Sequence, residues 1–524
     1  MVAWIDITLI ANDAYIALIY RYLGYPGLRT TAAETLSSII SKKMRSSDKL
    51  SLITFLNLTQ VVNTLNAEDE DLEFSESLAR LVNAQGLELT RILTEMNPAP
   101  ELREKGLRAL RDLLPLLLRF LADEYDEIST AVFPFLTDLL SQVHPYSSSY
   151  PFSTNIQSRR SLKRTGIEMF DRDFMQALLQ ALFKKLRYDN ETPTPGDDDS
   201  EIEAEFHDMR KRLLSFQESI ATLDPELFSR SIHQIVTSTF QAYISGETDN
   251  WRDLEVALFE LHAFAEPLKV NGLWEGTVHA KRFMEMLSLA IRISPKLGDP
   301  LSRILVMEIA VRYAVEIQSE PDTLIPTILQ VFVGHLGIHA RESQVQLRAW
   351  YLFERFLGKL DAVHLTPLSS QLLASFTDLL RIRVTIKSGG GVVDSDSESE
   401  SETDLVFDNQ LYLFQVAGLL MARGANLQVG EALIQELCNG ITERLAVIPS
   451  VVDQELLGYI HHSIMAIGDV AKGFEGGTPS QEGSVQQVGT QLFAPASEVI
   501  LKALERFEDS SYVRDAVCPL SRKN

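Results

Sequence analysis

Arg348, Arg355 and Lys359 are spaced seven and four residues apart, and on a helix that spacing places all three within about 20° of one line. Tyr351 lies beside the line. A row of guanidinium and ammonium groups can meet phosphate oxygens, and a tyrosine ring among them offers a face to an exposed base. The stripe also borders an apolar face, so a second reading stands beside the first: the cations bind carboxylates of adjoining helices as a ladder. Three more clusters share this ambiguity: Arg159, Arg160, Lys163 and Arg164; Lys184, Lys185 and Arg187; and Arg210, Lys211 and Arg212. Basic clusters are commonly solvated helix faces, whereas arginine forks suit phosphate pairs.

The chain has 524 residues and a formal net charge of −24, which argues against a polyanionic partner until its distribution is considered. Ala67 to Glu76, Asp197 to Glu205 and Asp394 to Asp404 each hold six acidic residues and no basic one. Removing those 18 leaves 54 acidic against 48 basic residues, a balance of −6. The body of the chain is thus able to carry local basic surface.

Catalytic chemistry finds no footing. The ten histidines are dispersed, and the adjacent His461 and His462 point about 100° apart on a helix, which excludes chelation as an i, i+4 pair. No Ser, His and Asp set or paired-carboxylate motif stands out. Gly389-Gly390-Gly391 lacks the GK[ST] ending of a phosphate loop. We expect a binding protein, not an enzyme, with no cofactor or metal. Cys438 and Cys518 are too few for a disulfide framework and suit a reducing compartment. Met1 to Tyr15 has no basic n-region, and Asp6 and Asp13 interrupt its apolar run; no stretch is long and apolar enough to predict membrane insertion.

Helices must position these residues. Thr323 to Leu360 reads as two amphipathic helices joined by a polar turn, the second with apolar residues at Val345, Ala349, Leu352, Phe356 and Leu360. One hairpin cannot bury such a face alone, so a stack of similar hairpins is required. The length, too great for one compact core, fits such an array. Helical patterns cover Asn12 to Leu23, Leu28 to Met44, Lys49 to Leu65, Phe74 to Leu93, Glu101 to Ala122, Ile128 to Val143 and Ser161 to Tyr188. They continue at Glu201 to Leu223, Pro225 to Ile244, Trp251 to Leu268, Ala280 to Ile293 and Pro300 to Ile317, then beyond the hairpin at Leu365 to Ile382. The last are Asn409 to Ala422, Glu431 to Val447, Glu455 to Lys472 and Val485 to Phe507. No convincing strand pattern appears.

The Asp-rich DEYDE turn at Asp123 to Glu127, between two apolar helices, resembles the HEAT repeat, a unit of about 40 residues. An acid there is placed to cap the second helix and meet its dipole, and Pro115 and Pro326 should bend or break the first helices. The expected fold class is all-α, a HEAT-repeat α-solenoid: a superhelical stack of antiparallel helix pairs. Its expected divisions are helix pairs over 1–144, a loop at 145–156, a helical segment at 157–188 and an acidic, proline-bearing linker at 189–200. Helix pairs follow over 201–386, a disordered Gly, Ser and acid-rich insertion over 387–406, pairs again over 407–517, and an atypical tail at 518–524. Within the insertion Ser395, Ser397, Ser399 and Ser401 lie among acids; phosphorylation and an unmodified solvated loop are both open readings. Ser511 to Val517 looks like the start of a helix that CPLSRKN replaces, so the chain is expected to be a fragment.

Seven stretches occur in the order found in the exportin-T family of karyopherins, and carry a resemblance over nearly the whole chain. They are WIDITLIAND (Trp4 to Asp13), KKLRYDNE (Lys184 to Glu191), FHDMRKRL (Phe206 to Leu213), DPELF (Asp224 to Phe228), WRDLEVALFELHAFAE (Trp251 to Glu266), the hairpin with RAWYLFERF, and FDNQLYLFQVAGLL (Phe407 to Leu420). The resemblance implies a nuclear export receptor that shuttles between nucleus and cytoplasm. Its implied partners are tRNA, the Ran GTPase in its GTP form and nuclear-pore proteins. It also implies that the repeats gripping Ran lie ahead of Val2. A HEAT scaffold or import-type karyopherin that binds only proteins is the alternative.

Overall fold

A computed structural model describes residues 5, 7–10, 12–65, 71–94, 100–143, 172–189, 200–384, 402–424, 427–446, 454–473 and 482–517. The loop at 145–156, the Arg159 to Arg164 cluster, most of the 189–200 linker, Ser395 to Ser401 and the tail at 518–524 lie outside them. Two compact units are present, Met1–Ala242 with Arg252–Met286, and Tyr243–Trp251 with Leu287–Asn524.

The first unit holds α1 (Ile7–Ile10), α2 (Asp13–Leu23), α3 (Arg29–Ile40), α4 (Ser46–Leu56), α5 (Leu58–Thr64), α6 (Leu72–Thr94), α7 (Pro100–Leu121), α8 (Asp126–Ala131) and α9 (Phe133–Gln142). It continues with α10 (Arg172–Lys185), α11 (Ser200–Leu223), most of α12 (Pro225–Ser245), nearly all of α13 (Trp251–Val270) and the start of α14 (Val278–Ile293). The second holds α15 (Pro300–Arg312), α16 (Ala314–Ile317), α17 (Pro321–Val333), α18 (Ser343–Lys359), α19 (Ala362–Leu365), α20 (Ser369–Ala374), α21 (Glu402–Ala422), α22 (Leu427–Ala446), α23 (Gln454–Gly473), α24 (Glu482–Arg506) and α25 (Ser511–Asp515). Among the described residues there is no strand.

Several helices begin where a short polar side chain bonds a free amide. Asn12 accepts from Tyr15 at 2.9 Å, Asp71 from Phe74 at 3.0 Å, Asp224 from Leu227 at 3.0 Å and Asp299 from Ser302 at 2.7 Å. The DEYDE turn departs from expectation. Asp123 accepts from the Tyr125 amide at 3.1 Å within the turn, and α8 has no side-chain cap; Asp126 and Glu127 stand in its first turn, where they meet the dipole without bonding an amide.

Four predicted helices are broken. Lys49 to Leu65 divides at Asn57, whose φ of 44° is left-handed. Val132 separates α8 from α9, where Pro134 cannot continue the amide ladder, and Tyr313 separates α15 from α16. Leu365 to Ile382 is a chain of short pieces: α19, a 3₁₀ turn at Thr366–Leu368, α20 and a second at Thr377–Leu380. Pro367 removes a donor, and the hydroxyls of Ser369 and Ser375 bond the carbonyls of Leu365 (2.9 Å) and Leu372 (2.6 Å), competing with the helix ladder. By contrast α7 and α17 run on through Pro115 and Pro326. Both prolines are exposed, so the carbonyl each deprives of a partner faces water.

In the first unit α3 packs on α6, α6 on α9 and α9 on α11; in the second α15 packs on α18, α18 on α21 and α21 on α23. This is helix-on-helix layering in which each element meets its neighbours. The predicted core face of α18 is buried at all five positions, Val345, Ala349, Leu352, Phe356 and Leu360. Phe228, Phe264 and Phe283 stack across α12, α13 and α14 with centroids 5.8 and 6.3 Å apart. Close approach of a neighbour demands glycine at Gly86 and Gly418, among other described positions. A Cβ on Gly86 would fall on the Phe135 ring, and a Cβ on Gly418 would strike the Val470 carbonyl oxygen where α21 meets α23.

Candidate nucleic-acid interface

Two cations of the basic stripe on α18, Arg348 and Lys359, have partners in the next layer. Arg348 meets Glu308 of α15 at 2.6 Å, and its guanidinium lies 5.2 Å from the Tyr351 ring centroid. Tyr351 packs edge-on to Tyr412 of α21 at 5.2 Å. Lys359 donates to the Val311 carbonyl at 2.9 Å. Arg355 remains exposed beside Glu354, whose half-buried carboxyl is pushed up by desolvation and partly restored by Arg355. Burial raises the Tyr412 hydroxyl, and Glu354 and Asp408 add to the effect. Three cations thus stand among three carboxylates, Glu308, Glu354 and Asp408, and the stripe carries no excess of positive charge. For Arg348 and Lys359 the structure shows the contact between layers.

In the first unit Lys185 and Arg210 require correction. The buried Lys185 donates to the carbonyls of Asp123 and Glu124 at 2.7 and 2.8 Å and pairs with Asp126 at 2.8 Å. Arg210 is 2 % exposed. It makes a two-pronged bond to Glu255 at 2.8 and 2.6 Å and donates to the Leu186 carbonyl at 2.6 Å. The rings of Tyr188, Phe206 and Phe259 surround it at about 4.5 Å. Neither cation has a face left for a phosphate. Arg187 pairs with Asp253 of α13. Lys211 pairs with Asp208 at 2.7 Å along its own helix, Arg212 lies 4.7 Å over Phe133, and Lys184 is exposed. The exposed cations among the described candidates are Arg348, Arg355, Lys359, Lys184, Lys211 and Arg212, of which Arg348 and Lys359 are bonded to the next layer.

One device recurs in both units. Helices end with carbonyls that have no partner in the helix, and a cation from elsewhere in the stack reaches them. Lys49 donates to Lys42 at 2.5 Å and to Ile40; Arg303 donates to Leu297 and Gly298 at 3.2 and 2.7 Å. Lys185, Arg210 and Lys359 belong to the same series, as does Arg423, which reaches Leu360 at 3.4 Å. The negative end of a helix dipole favours a cation there. Burial of Lys49 pulls its ammonium down from the usual lysine range, and Glu88 opposes the shift.

Other buried polar groups are also occupied with packing. Ser229 contacts His279 Nδ1 at 2.6 Å, and Arg282 donates to Ser229 and to both oxygens of Glu226. This hydroxyl and imidazole are shut away from any substrate, as Ser229 is fully buried. Burial also lowers the His279 value. Sequence reading missed the exposed Arg341, Arg381 and Arg383. The signal was the two-residue alternation in Arg381-Ile382-Arg383-Val384, hidden by assigning Leu365 to Ile382 to one helix.

Stacked helix pairs of this kind define a HEAT-repeat solenoid, the karyopherin type of fold. The fold matches that of Kap121p bound to Nup53p, with TM-score 0.50 and 12% identity over 98% of this chain and 42% of that one. The chain belongs to the exportin-T family, whose model matches residues 100–519. It is 30% identical over 552 residues to Exportin-T of Sclerotinia sclerotiorum, covering 98% of this chain and 51% of that protein. Exportin-T of Aspergillus oryzae is 31% identical over 552 residues, with coverage of 98% and 52%. The chain thus spans about half the length of these curated relatives.

Proposed function

We propose that this chain is part of a nuclear export receptor that carries tRNA with RanGTP through the nuclear pore and shuttles between nucleus and cytoplasm. The observation that carries the reading is the exportin-T family match over residues 100–519. The helix-on-helix layering within each unit is consistent with it. Arg355, Lys184, Lys211 and Arg212, exposed and with no ion pair to another layer among the described residues, are the cations that would meet the RNA backbone, with the half-buried Tyr351 beside Arg355. Nuclear-pore proteins are the third partner, met during passage.

The mechanism is linkage: two ligands that favour one arrangement of the layers assist each other, and GTP hydrolysis on Ran removes one and releases the other. Filter binding of tRNA, with and without RanGTP, tests this on the chain and on the longer family members. RanGTP should tighten tRNA retention by the longer proteins, and the chain alone should retain tRNA weakly. Unchanged retention on adding RanGTP to the longer proteins rejects the export reading. The engagement of Arg348, Lys359, Lys185, Arg187 and Arg210 by other layers favours the second reading, a HEAT scaffold for protein partners without RNA. Retention of no tRNA by any of these proteins would establish it.

A further inference from the structure

We propose that Arg381 and Arg383, flanked by Arg341, form a phosphate-contacting rail for the RNA cargo, an inference that rests on the tRNA reading above. The three arginines are exposed, and none of their guanidinium groups forms an ion pair with a carboxylate among the described residues. Their platform is fixed. The amide of Gln410, a side chain only 8 % exposed, donates to the carbonyls of Leu379 and Arg381 at 2.6 and 3.1 Å. Val384 packs toward Gly458 of α23, where an added Cβ would lie 3.1 Å from Val384 Cγ1. Between these anchors the backbone is neither helix nor turn, and exposure alternates: Arg381 and Arg383 outward, Ile382 and Val384 partly covered. In an extended segment, residues two apart share a face and lie roughly 6.5 Å from each other. Two guanidinium forks on that pitch suit successive phosphates of one strand.

The turn between α17 and α18 brings up the flank. His339 bonds the Val333 carbonyl through Nδ1 at 3.0 Å and meets Asp378 through Nε2 at 3.4 Å, which sets this turn beside the residues leading to Arg381. Trp350 and Gln346 hold it by donating to the Ile338 carbonyl at 3.0 and 3.3 Å. Of the nearby acids, Glu342 pairs with Arg303 at 3.1 Å and also feels Arg341, while Asp378 touches the His339 ring. Among the described residues three arginines thus face Asp378 alone, with Glu342 taken up by Arg303, an excess of cations that the α18 stripe lacks. A row of arginines on an anchored backbone favours a polyanion of regular charge spacing over an acidic peptide, whose carboxylates sit on mobile side chains.

The test is filter binding of tRNA to the full chain between about 50 and about 200 mM salt, comparing the parent with R381Q/R383Q and R381K/R383K. The plot of log affinity against log salt should become shallower by about 2 in the glutamine variant, about 1 for each phosphate no longer neutralised. The lysine variant should keep the parent slope. Parent and glutamine variants with equal slope and affinity overturn the rail while leaving the tRNA reading intact. A parent chain that retains no tRNA while longer family members do overturns the rail alone, and failure of all of them removes both. Polyglutamate binding that depends on Arg381 and Arg383, with tRNA binding that does not, reassigns the edge to acidic proteins and also overturns the proposal.

Discussion

Glu260 is buried in α13 with the Gln217 amide at 2.5 Å, and desolvation pushes its carboxyl from 4.5 up to about 7, against the opposing pull of Gln217 and Arg210. Between those values the folded chain holds a proton that the unfolded chain has released. The stability it contributes is full below 4.5 and is lost as pH rises through about 7, a change of order 3 kcal/mol. Glu260→Gln stays neutral at every pH, so its advantage in urea midpoint over the parent should widen from about pH 5 to about pH 8. A constant difference would show that Glu260 is not the titrating group. The neighbouring Arg210 is the opposite case, a charge that is fully matched. Arg210→Met leaves Glu255 buried without its partner and should cost about 3–5 kcal/mol, most of it recovered in the Arg210→Met, Glu255→Met double variant. Urea denaturation of the three variants decides this; equal losses in single and double variants would mean that packing, rather than the unmatched carboxylate, dominates.

The crossing of α21 and α23 makes a sharper demand. Gly418 abuts the Val470 carbonyl, and Gly473 abuts the backbone at Gly418 and Leu419, whereas Gly468 on α23 faces open space. Gly418→Ala should therefore separate the two helices and cost about 1–3 kcal/mol or more. Gly468→Ala should instead stabilise by about 0.5–1 kcal/mol through helix propensity. Thermal melts that rank the two variants the other way would refute this crossing. The sequence displayed which residues of α18 face the core, because burial follows the three-or-four step within one helix. It did not display that Lys185 meets Asp123, 62 residues away, because a run of charges names no partner. Nor did it reveal the breaks at Asn57 and Tyr313, which interrupt apolar patterns that continue across them. The acids of the DEYDE turn misled for a related reason: the type of residue was right for a cap, but the turn itself used the carboxylate.

At the level of the molecule, layered helices contact mainly their neighbours, so a local lesion should be felt locally. Gly86→Ala, which collides with Phe135, lies in the first compact unit, and Gly418→Ala lies in the second. Their destabilisations should add to within about 0.5 kcal/mol in the double variant, as for sites with no shared partner. Measured coupling above about 1 kcal/mol would reveal cooperation across the array that nearest-neighbour packing does not supply.

The cations that close helix ends have a one-sided chemistry. Their acceptors are the backbone oxygens of Ile40, Asp123, Leu186, Val311 and Leu360, which every amino acid carries. The receiving half of each joint therefore places no demand on side-chain identity. Only the lysine or arginine is spelled out, and successive layers can be fastened together without resembling one another in letters.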